Sequence, residues 1–545
     1  MIRFRHALAL GALAVSFPAA AQSGPVVAAP SGSVRGSAEG DLTVFKGIPY
    51  AVPPVGAMRW RPPAPMKKWT GVRETTAFGP ACVQPQSKTP TSVYSPPAPI
   101  PVSEDCLTLN IWAPKNAKNA PVFVWIHGGA LVGGSSREDM YDGRKMAERG
   151  VIVVSINYRL GVLGYLAHPG LSAESPKGVS GNYGLLDQIA ALSWVKYNIA
   201  AFGGDKANVT IAGESAGGLS VMYLLESPLA RGLFQKAIAE SAYMISMPEL
   251  KKAAYGAPSG EAAGQMLAAG LQAPDLAALR GMDAQAITDA AGKLGWSPWG
   301  VVDGLVLPDQ MTTTFDQGKQ VPVPLLTGFN QGEIRSLMVL APRPPASAAD
   351  YEKTIRDRYG DLADTFLRLY PADNYKESIL ATTRDALYAW TSERLVRKQT
   401  ALGQPAYLYM WDHGYPTMDS AGLHAFHASE IPYVFGTAAV TPPLWPKIPA
   451  TPGEAALSDA LLDYWTSFAK TGKPVAANAP AWPAYGKALN YMHFTDTPRP
   501  ATDLMPGMFA LNETVMCRKA KNKVGWNWNV GLYAPKLPGK TDGCD

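Results

Sequence analysis

Val209-Thr210-Ile211-Ala212-Gly213-Glu214-Ser215-Ala216-Gly217 is a β-branched apolar run ending in a serine set between glycines, and the apolar stretch 219–225 follows at once. Strand, tight turn and helix in that order are the context in which Gly-x-Ser-x-Gly acts as a nucleophile elbow. The flanking glycines let the chain turn sharply enough to lift the Ser215 hydroxyl above a sheet, with a helix N-terminus beneath it. Such a serine needs a base for its proton and N–H donors for the oxyanion that attack creates.

Outward from the elbow, 122–126 and 151–156 are further short β-branched runs without apolar/polar alternation, as in strands buried on both faces. Between them and the elbow lies a helical pattern over 182–198, with Leu185, Leu186, Ile189, Leu192 and Val195 at helical spacing. Strands alternating with helices predict an α/β fold, a central and mostly parallel sheet flanked by helices. The composition agrees: 47% hydrophobic against 17% charged residues supplies a large core and excludes disorder, collagen and coiled coil. No internal repeat and no Gly/Ser linker divides the 545 residues, so 22–545 reads as a single domain. The Ala/Leu-rich stretches 247–300 and 343–399 are helical excursions that either cover the active site or complete the outer layer, and 455–470 is an amphipathic helix expected to pack.

The formal charge of +5 is spread over 49 basic and 44 acidic residues with no Lys/Arg run, which gives nucleic-acid binding no support. Arg3 and Arg5, the apolar run 7–17 and Ala19-Ala20-Ala21 read as a secretory signal over 1–21, with cleavage expected after Ala21. Ser16 and Pro18 interrupt that run well short of the roughly 20 apolar residues of a membrane span, so no stable membrane anchor is expected. The expectation is a secreted or periplasmic protein of a bacterial envelope.

Four cysteines in an oxidising compartment predict two disulfides. Three pairings are open, and the simplest joins chain neighbours, Cys82 with Cys106 and Cys517 with Cys544. Their spacing lacks the close pairs of zinc ligands, so no metal is expected, and acyl transfer by a serine hydroxyl needs no cofactor. The proline-rich stretch 85–102 between Cys82 and Cys106 reads as a surface loop tied at its base.

His127-Gly128-Gly129-Ala130 follows the run 122–126, where an oxyanion loop belongs. The N–H groups of Gly128 and Gly129, with that of Ala216, are the candidate donors. With the elbow, these residues join a longer series: Phe45-Lys46-Gly47-Ile48-Pro49-Tyr50-Ala51, Pro53-Pro54-Val55-Gly56, Ser103-Glu104-Asp105-Cys106-Leu107-Thr108-Leu109-Asn110, Asn157-Tyr158-Arg159-Leu160-Gly161 and Phe202-Gly203-Gly204-Asp205. In these blocks and their order the chain resembles the type-B carboxylesterases, the family of the cholinesterases and of bacterial esterases active on nitrobenzyl esters. The resemblance implies an α/β-hydrolase fold, a serine esterase activity and a first disulfide between Cys82 and Cys106. Ala130 stands where many members carry a third glycine.

A hydrolase of this fold orders its triad as serine, acid, histidine, so the base lies beyond Ser215, where His413, His424, His427 and His493 remain. His427 is the choice because His427-Ala428-Ser429-Glu430-Ile431-Pro432-Tyr433-Val434-Phe435-Gly436 resembles the family's histidine block; His424 is the nearest rival. For the acid, 322–326 reads as a strand and Thr327-Gly328-Phe329-Asn330-Gln331-Gly332-Glu333 resembles the family's glutamate loop, which selects Glu333. Here Gly332 precedes the glutamate, whereas many members have glycine after it. Asp303 is the rival and reads as a turn.

Among residues that bear on substrate, the resemblance implies that Glu214 is a buried supporting acid, in a mainly structural role. Trp296 and Trp299 either wall the acyl pocket or simply pack, and Arg335 either meets an acidic substrate group or forms an ion pair. The expected activity is hydrolysis of a small-molecule ester through an acyl-enzyme, failing as His427 protonates below its ordinary pKa near 6.5 unless the site shifts it. The same machinery fits amide, thioester or lactone cleavage, and a non-catalytic binding protein on this fold is the alternative of another class. Oligomeric state is not legible.

Overall fold

The computed structural model describes residues 24–544; the signal segment 1–21 and its cleavage site lie outside the described residues. Eleven strands form the main sheet: β1 (Ser37–Glu39), β2 (Leu42–Pro49), β3 (Thr108–Pro114), β4 (Ala120–Ile126), β5 (Ile152–Ile156), β6 (Gly204–Glu214), β7 (Lys236–Glu240), β8 (Leu325–Asn330), β9 (Ala406–Trp411), β10 (Asn490–Phe494) and β11 (Pro498–Thr502). Their order across the sheet is β11-β10-β9-β8-β7-β6-β4-β5-β3-β2-β1. From β5 to β10 every pairing is parallel, while β3, β2, β1 and β11 pair antiparallel at the two ends.

The runs read as strands are strands, and β4, β5, β7 and β8 carry Val, Ile, Leu and Ala side chains buried on both faces. Two boundaries move. The elbow strand is longer than 209–212, and β8 begins at Leu325 and runs to Asn330, so half of the segment read as the glutamate loop is strand. Its polar Thr327 and Asn330 are buried because Thr327 donates to the Ala239 carbonyl and Asn330 to the Phe426 carbonyl. Helices α1 (Tyr183–Asn198), α2 (Ala216–Glu226), α3 (Trp390–Ala401) and α4 (Pro452–Thr471) flank the sheet. α4 shows how local sequence sets an element: Thr451 Oγ1 accepts from the Glu454 N–H at 3.2 Å, Pro452 opens the helix, and Gly472 at φ 76° closes it. Its predicted face, including Leu457, Leu461, Trp465 and Phe468, is buried against the sheet's second apolar layer.

Both disulfides join chain neighbours, Cys82 to Cys106 and Cys517 to Cys544. Among the described residues no helix is long and apolar enough to cross a membrane, and no group of side chains is arranged to hold a metal ion. The chain reverses its direction of travel across the sheet at β4, which has β5 on one side and β6 on the other. The crevice outside the carboxyl ends of parallel strands at such a switch point is where an open α/β sheet places its ligands.

Candidate active site

Ser215 stands between β6 and α2 with φ 58° and ψ −120°, a conformation that costs a residue with a Cβ about 1–3 kcal/mol. The turn is held by the Ser215 N–H donating to the Glu240 carbonyl of β7 at 3.0 Å. It is possible only because the residues two positions away on either side, Gly213 and Gly217, lack side chains: a Cβ on Gly217 would lie 2.0 Å from the Ile126 carbonyl oxygen. Glu214 and Ala216 are buried on either side of the half-exposed serine.

The glycine loop after β4 lies against this turn. A Cβ on Gly128 would meet the Glu214 carbonyl at 2.9 Å and Ser215 Cβ at 3.2 Å, and Gly129 takes φ 103°. Among the described residues the N–H groups of Gly128, Gly129 and Ala216 have no hydrogen-bond acceptor. Three free donors beside a serine hydroxyl are the makings of an oxyanion site. Ala130 and Leu131 continue at φ 56° and 59°, so the backbone keeps the loop's left-handed course although a side chain replaces the third glycine. His127 is buried and pushed down to about 4, because desolvation disfavours its charge; its ring stacks on Tyr158 at 4.6 Å, and the role is structural.

Beyond β8, Glu333 is fully buried; its Oε1 accepts from the Asn330 N–H at 2.8 Å and its Oε2 meets His427 Nδ1. The glycine that precedes Glu333 is explained by the approach of the two loops: Gly332 pairs with Phe426, and a Cβ on it would lie 1.8 Å from the His424 carbonyl oxygen. His424 itself is turned away, its ring between Asp412 at 3.1 Å and Asp419 at 2.7 Å. His413 is held by Asp496 and Glu454, and His493 by Asp412. Asp303 accepts from the N–H groups of Leu305, Val306 and Leu307, a turn as expected. Arg335 pairs with Glu377 at 2.7 Å. Trp299 packs on Trp528, and a row of rings continues through Tyr243 to Tyr388, 5.6 Å from His427.

Glu214 is buried beside the site, where a supporting acid is expected, and its Oε1 lies 3.0 Å from His427 Nε2, the nitrogen that would accept the serine proton. Among the described residues Ser215 Oγ makes no hydrogen bond to His427; the ring lies between two glutamates, hydrogen-bonded to Glu333 and with Glu214 close by but not hydrogen-bonded to it. Burial alone would lower the His427 pKa, but Glu214 and then Glu333 outweigh it and push the ring up to about 9. Burial in turn pushes Glu214 up to about 8 and Glu430, which accepts from Asn330, up to about 7. A Glu214 kept neutral holds His427 positive less strongly, so the two effects oppose one another. The direction that survives is a ring more basic than free imidazole, since Glu333 faces it as well. This moves the expected loss of activity from near 6.5 to higher pH.

The family model described as "Carboxylesterase family" matches residues 23–508. The chain belongs to the carboxylesterase family. This carboxylesterase is 38% identical over 508 residues to the fumonisin B1 esterase of Sphingopyxis macrogoltabida, covering 89% of each chain. It is 37% identical over 475 residues to the para-nitrobenzyl esterase of Bacillus subtilis (strain 168), covering 84% of this chain and 92% of that one. A solved PNB esterase superposes with a TM-score of 0.75 at 34% identity, over 88% of this chain and 98% of the other, and establishes the α/β-hydrolase fold. The carboxylesterase is a carboxylic ester hydrolase. Sequence reading missed Tyr388, which sits in a π-helical turn (Asp385–Ala389) of a stretch that carries no motif, and Tyr94, which lies inside the tied loop.

Proposed function

We propose that the chain is an exported serine esterase in which Ser215 is the nucleophile, His427 the general base and acid, Glu333 the orienting acid, and the N–H groups of Gly128, Gly129 and Ala216 the oxyanion donors. The observation that carries this reading is the convergence of the Ser215 turn, the free N–H groups and the His427–Glu333 pair beyond the carboxyl ends of β4, β6, β8 and β9. As Ser215 Oγ attacks the ester carbonyl, His427 Nε2 takes its proton, and the oxyanion is held by the three donors. The alcohol leaves with that proton. Water, deprotonated by the same nitrogen, then cleaves the acyl-serine and restores the hydroxyl. Glu333 fixes the ring through Nδ1, and Glu214 faces the nitrogen that becomes charged, so both stabilise the imidazolium. No cofactor enters.

Relatives named for a fumonisin and for para-nitrobenzyl esters support a small-molecule ester substrate. The signal-like residues 1–21 and two disulfides from four cysteines support export to an oxidising compartment, with 22–545 acting as one domain. The test is hydrolysis of p-nitrophenyl esters from acetate to decanoate by the mature protein and by Ser215→Ala. Loss of turnover by about 10³-fold or more in the folded variant is expected; equal rates in the two proteins would remove Ser215 from the mechanism.

A further inference from the structure

The loop closed by Cys82–Cys106 is mostly exposed, as its prolines predict, but it reaches the site at two points. Near its start, Gln84 clamps the glycine loop: its Oε1 accepts from the Gly134 N–H and its Nε2 donates to the Gly134 carbonyl, both at 2.9 Å. Near its middle, a turn in which Ser95 Oγ accepts from the Thr91 and Ser92 N–H groups turns Tyr94 inward. The Tyr94 hydroxyl donates to the backbone carbonyl of His427 at 2.9 Å and shares a 2.6 Å hydrogen bond with Ser336 Oγ. Its ring meets those of Phe426, His427 and Trp445 at 6.2–6.4 Å. Ser336 lies three residues beyond Glu333.

We propose that Tyr94 is a positioning residue for ester hydrolysis: one phenol hydroxyl fastens the segment that carries Glu333 to the backbone of His427, on a loop whose ends are fixed by a disulfide. The inference rests on the Ser215–His427–Glu333 reading above. The physical need is specific. Glu333 and His427 belong to separate excursions 94 residues apart in the chain, and each follows the end of a different strand. The imidazole must keep Nδ1 on Glu333 while Nε2 exchanges a proton with Ser215, and small misplacements of such groups cost large factors in rate. Tyr94 bonds to both excursions without touching the reacting atoms. Burial keeps its hydroxyl protonated, hence always a donor.

The test compares wild type, Tyr94→Phe, Ser336→Ala and the double variant on p-nitrophenyl acetate, with active-site titration to count functional serines. Tyr94→Phe keeps the ring packing and removes the bridge. It is expected to lower kcat per titrated site about ten- to hundredfold with KM changed less than about twofold. The acid limb of kcat/KM should move to lower pH, because the Glu333 contact that raises His427 is loosened. Ser336→Ala should lower kcat less, and the double variant should be no slower than Tyr94→Phe, since both break one bridge. An unchanged kcat per site and an unmoved limb in Tyr94→Phe overturn the proposal, as does a loss wholly accounted for by fewer titratable sites. Ser215→Ala, run alongside, separates this from the mechanism itself: Ser215-dependent turnover with an unaffected Tyr94→Phe refutes only the role of Tyr94, whereas turnover that survives Ser215→Ala refutes both.

Discussion

Replacing Glu214 by Gln removes a carboxylate that lies 3.0 Å from His427 Nε2 while keeping its size. Two unit charges at that distance attract by about 5.5 kcal/mol at an effective dielectric constant near 20, enough to change the acidity of the ring by about 10⁴-fold. Glu214 does not exert that whole effect, because burial pushes its own pKa up to about 8 and leaves it mostly protonated at neutrality. A change of at least about tenfold in acidity is the conservative expectation, taking His427 from about 9 in the wild type towards lower pH in the variant. The sign follows from the proposed mechanism: in it only neutral His427 accepts the serine proton, so kcat/KM rises as pH passes upward through its pKa. Lowering that pKa moves the acid limb down. The same substitution withdraws stabilisation from the imidazolium formed in the transition state, so the plateau should fall in proportion, by about tenfold when the ring becomes about tenfold more acidic. The two profiles therefore converge on the acid side and separate on the alkaline side. Initial rates on p-nitrophenyl acetate across the acid limb and the plateau, corrected for spontaneous hydrolysis, measure both effects. An acid limb at the same pH in the two proteins would refute the argument, whatever happened to the plateau.

Two further outcomes follow from the geometry. Gly128→Ala places a methyl group 2.9 Å from the Glu214 carbonyl oxygen and 3.2 Å from Ser215 Cβ, which displaces a proposed oxyanion donor; kcat per folded molecule is expected to fall about 10²–10³-fold, and near-wild-type kcat would remove Gly128 from the donor set. Glu226, buried at the end of α2 and held by Thr314 at 3.0 Å, is pushed up to about 8 from 4.5, so its contribution to stability is complete below about pH 4.5, drains away between, and is gone above about 8. Glu226→Gln should accordingly melt with the wild type near pH 4.5 and above it once the pH exceeds about 8, and parallel melting curves across that range would contradict a raised Glu226 pKa.

How much of this was legible in the chain depends on how local each cause is. The elbow could be read because its requirements are met within a few residues: a β-branched strand, two glycines where other backbone passes closely, and a helix that begins at Ala216. The glycine loop and the disulfide partners were legible for similar reasons, short spacing and few alternatives. His427 and Glu333 could be proposed only through resemblance, because nothing in their own segments states that Gly332 must pass within a methyl group's reach of the His424 carbonyl. The end of β8 was misplaced because Thr327 and Asn330 are polar, and their hydrogen bonds to Ala239 and Phe426 come from remote strands and loops.

By itself, then, the sequence determined the layered α/β plan, the serine and its turn, since periodicity and steric freedom are properties of neighbouring residues. Only the tertiary structure decided how basic His427 is, that Glu214 faces its Nε2, and that Tyr94 crosses 333 residues of chain to reach its carbonyl. Electrostatic effects and long-range hydrogen bonds depend on distances across space, and a linear chain fixes those only after it has folded.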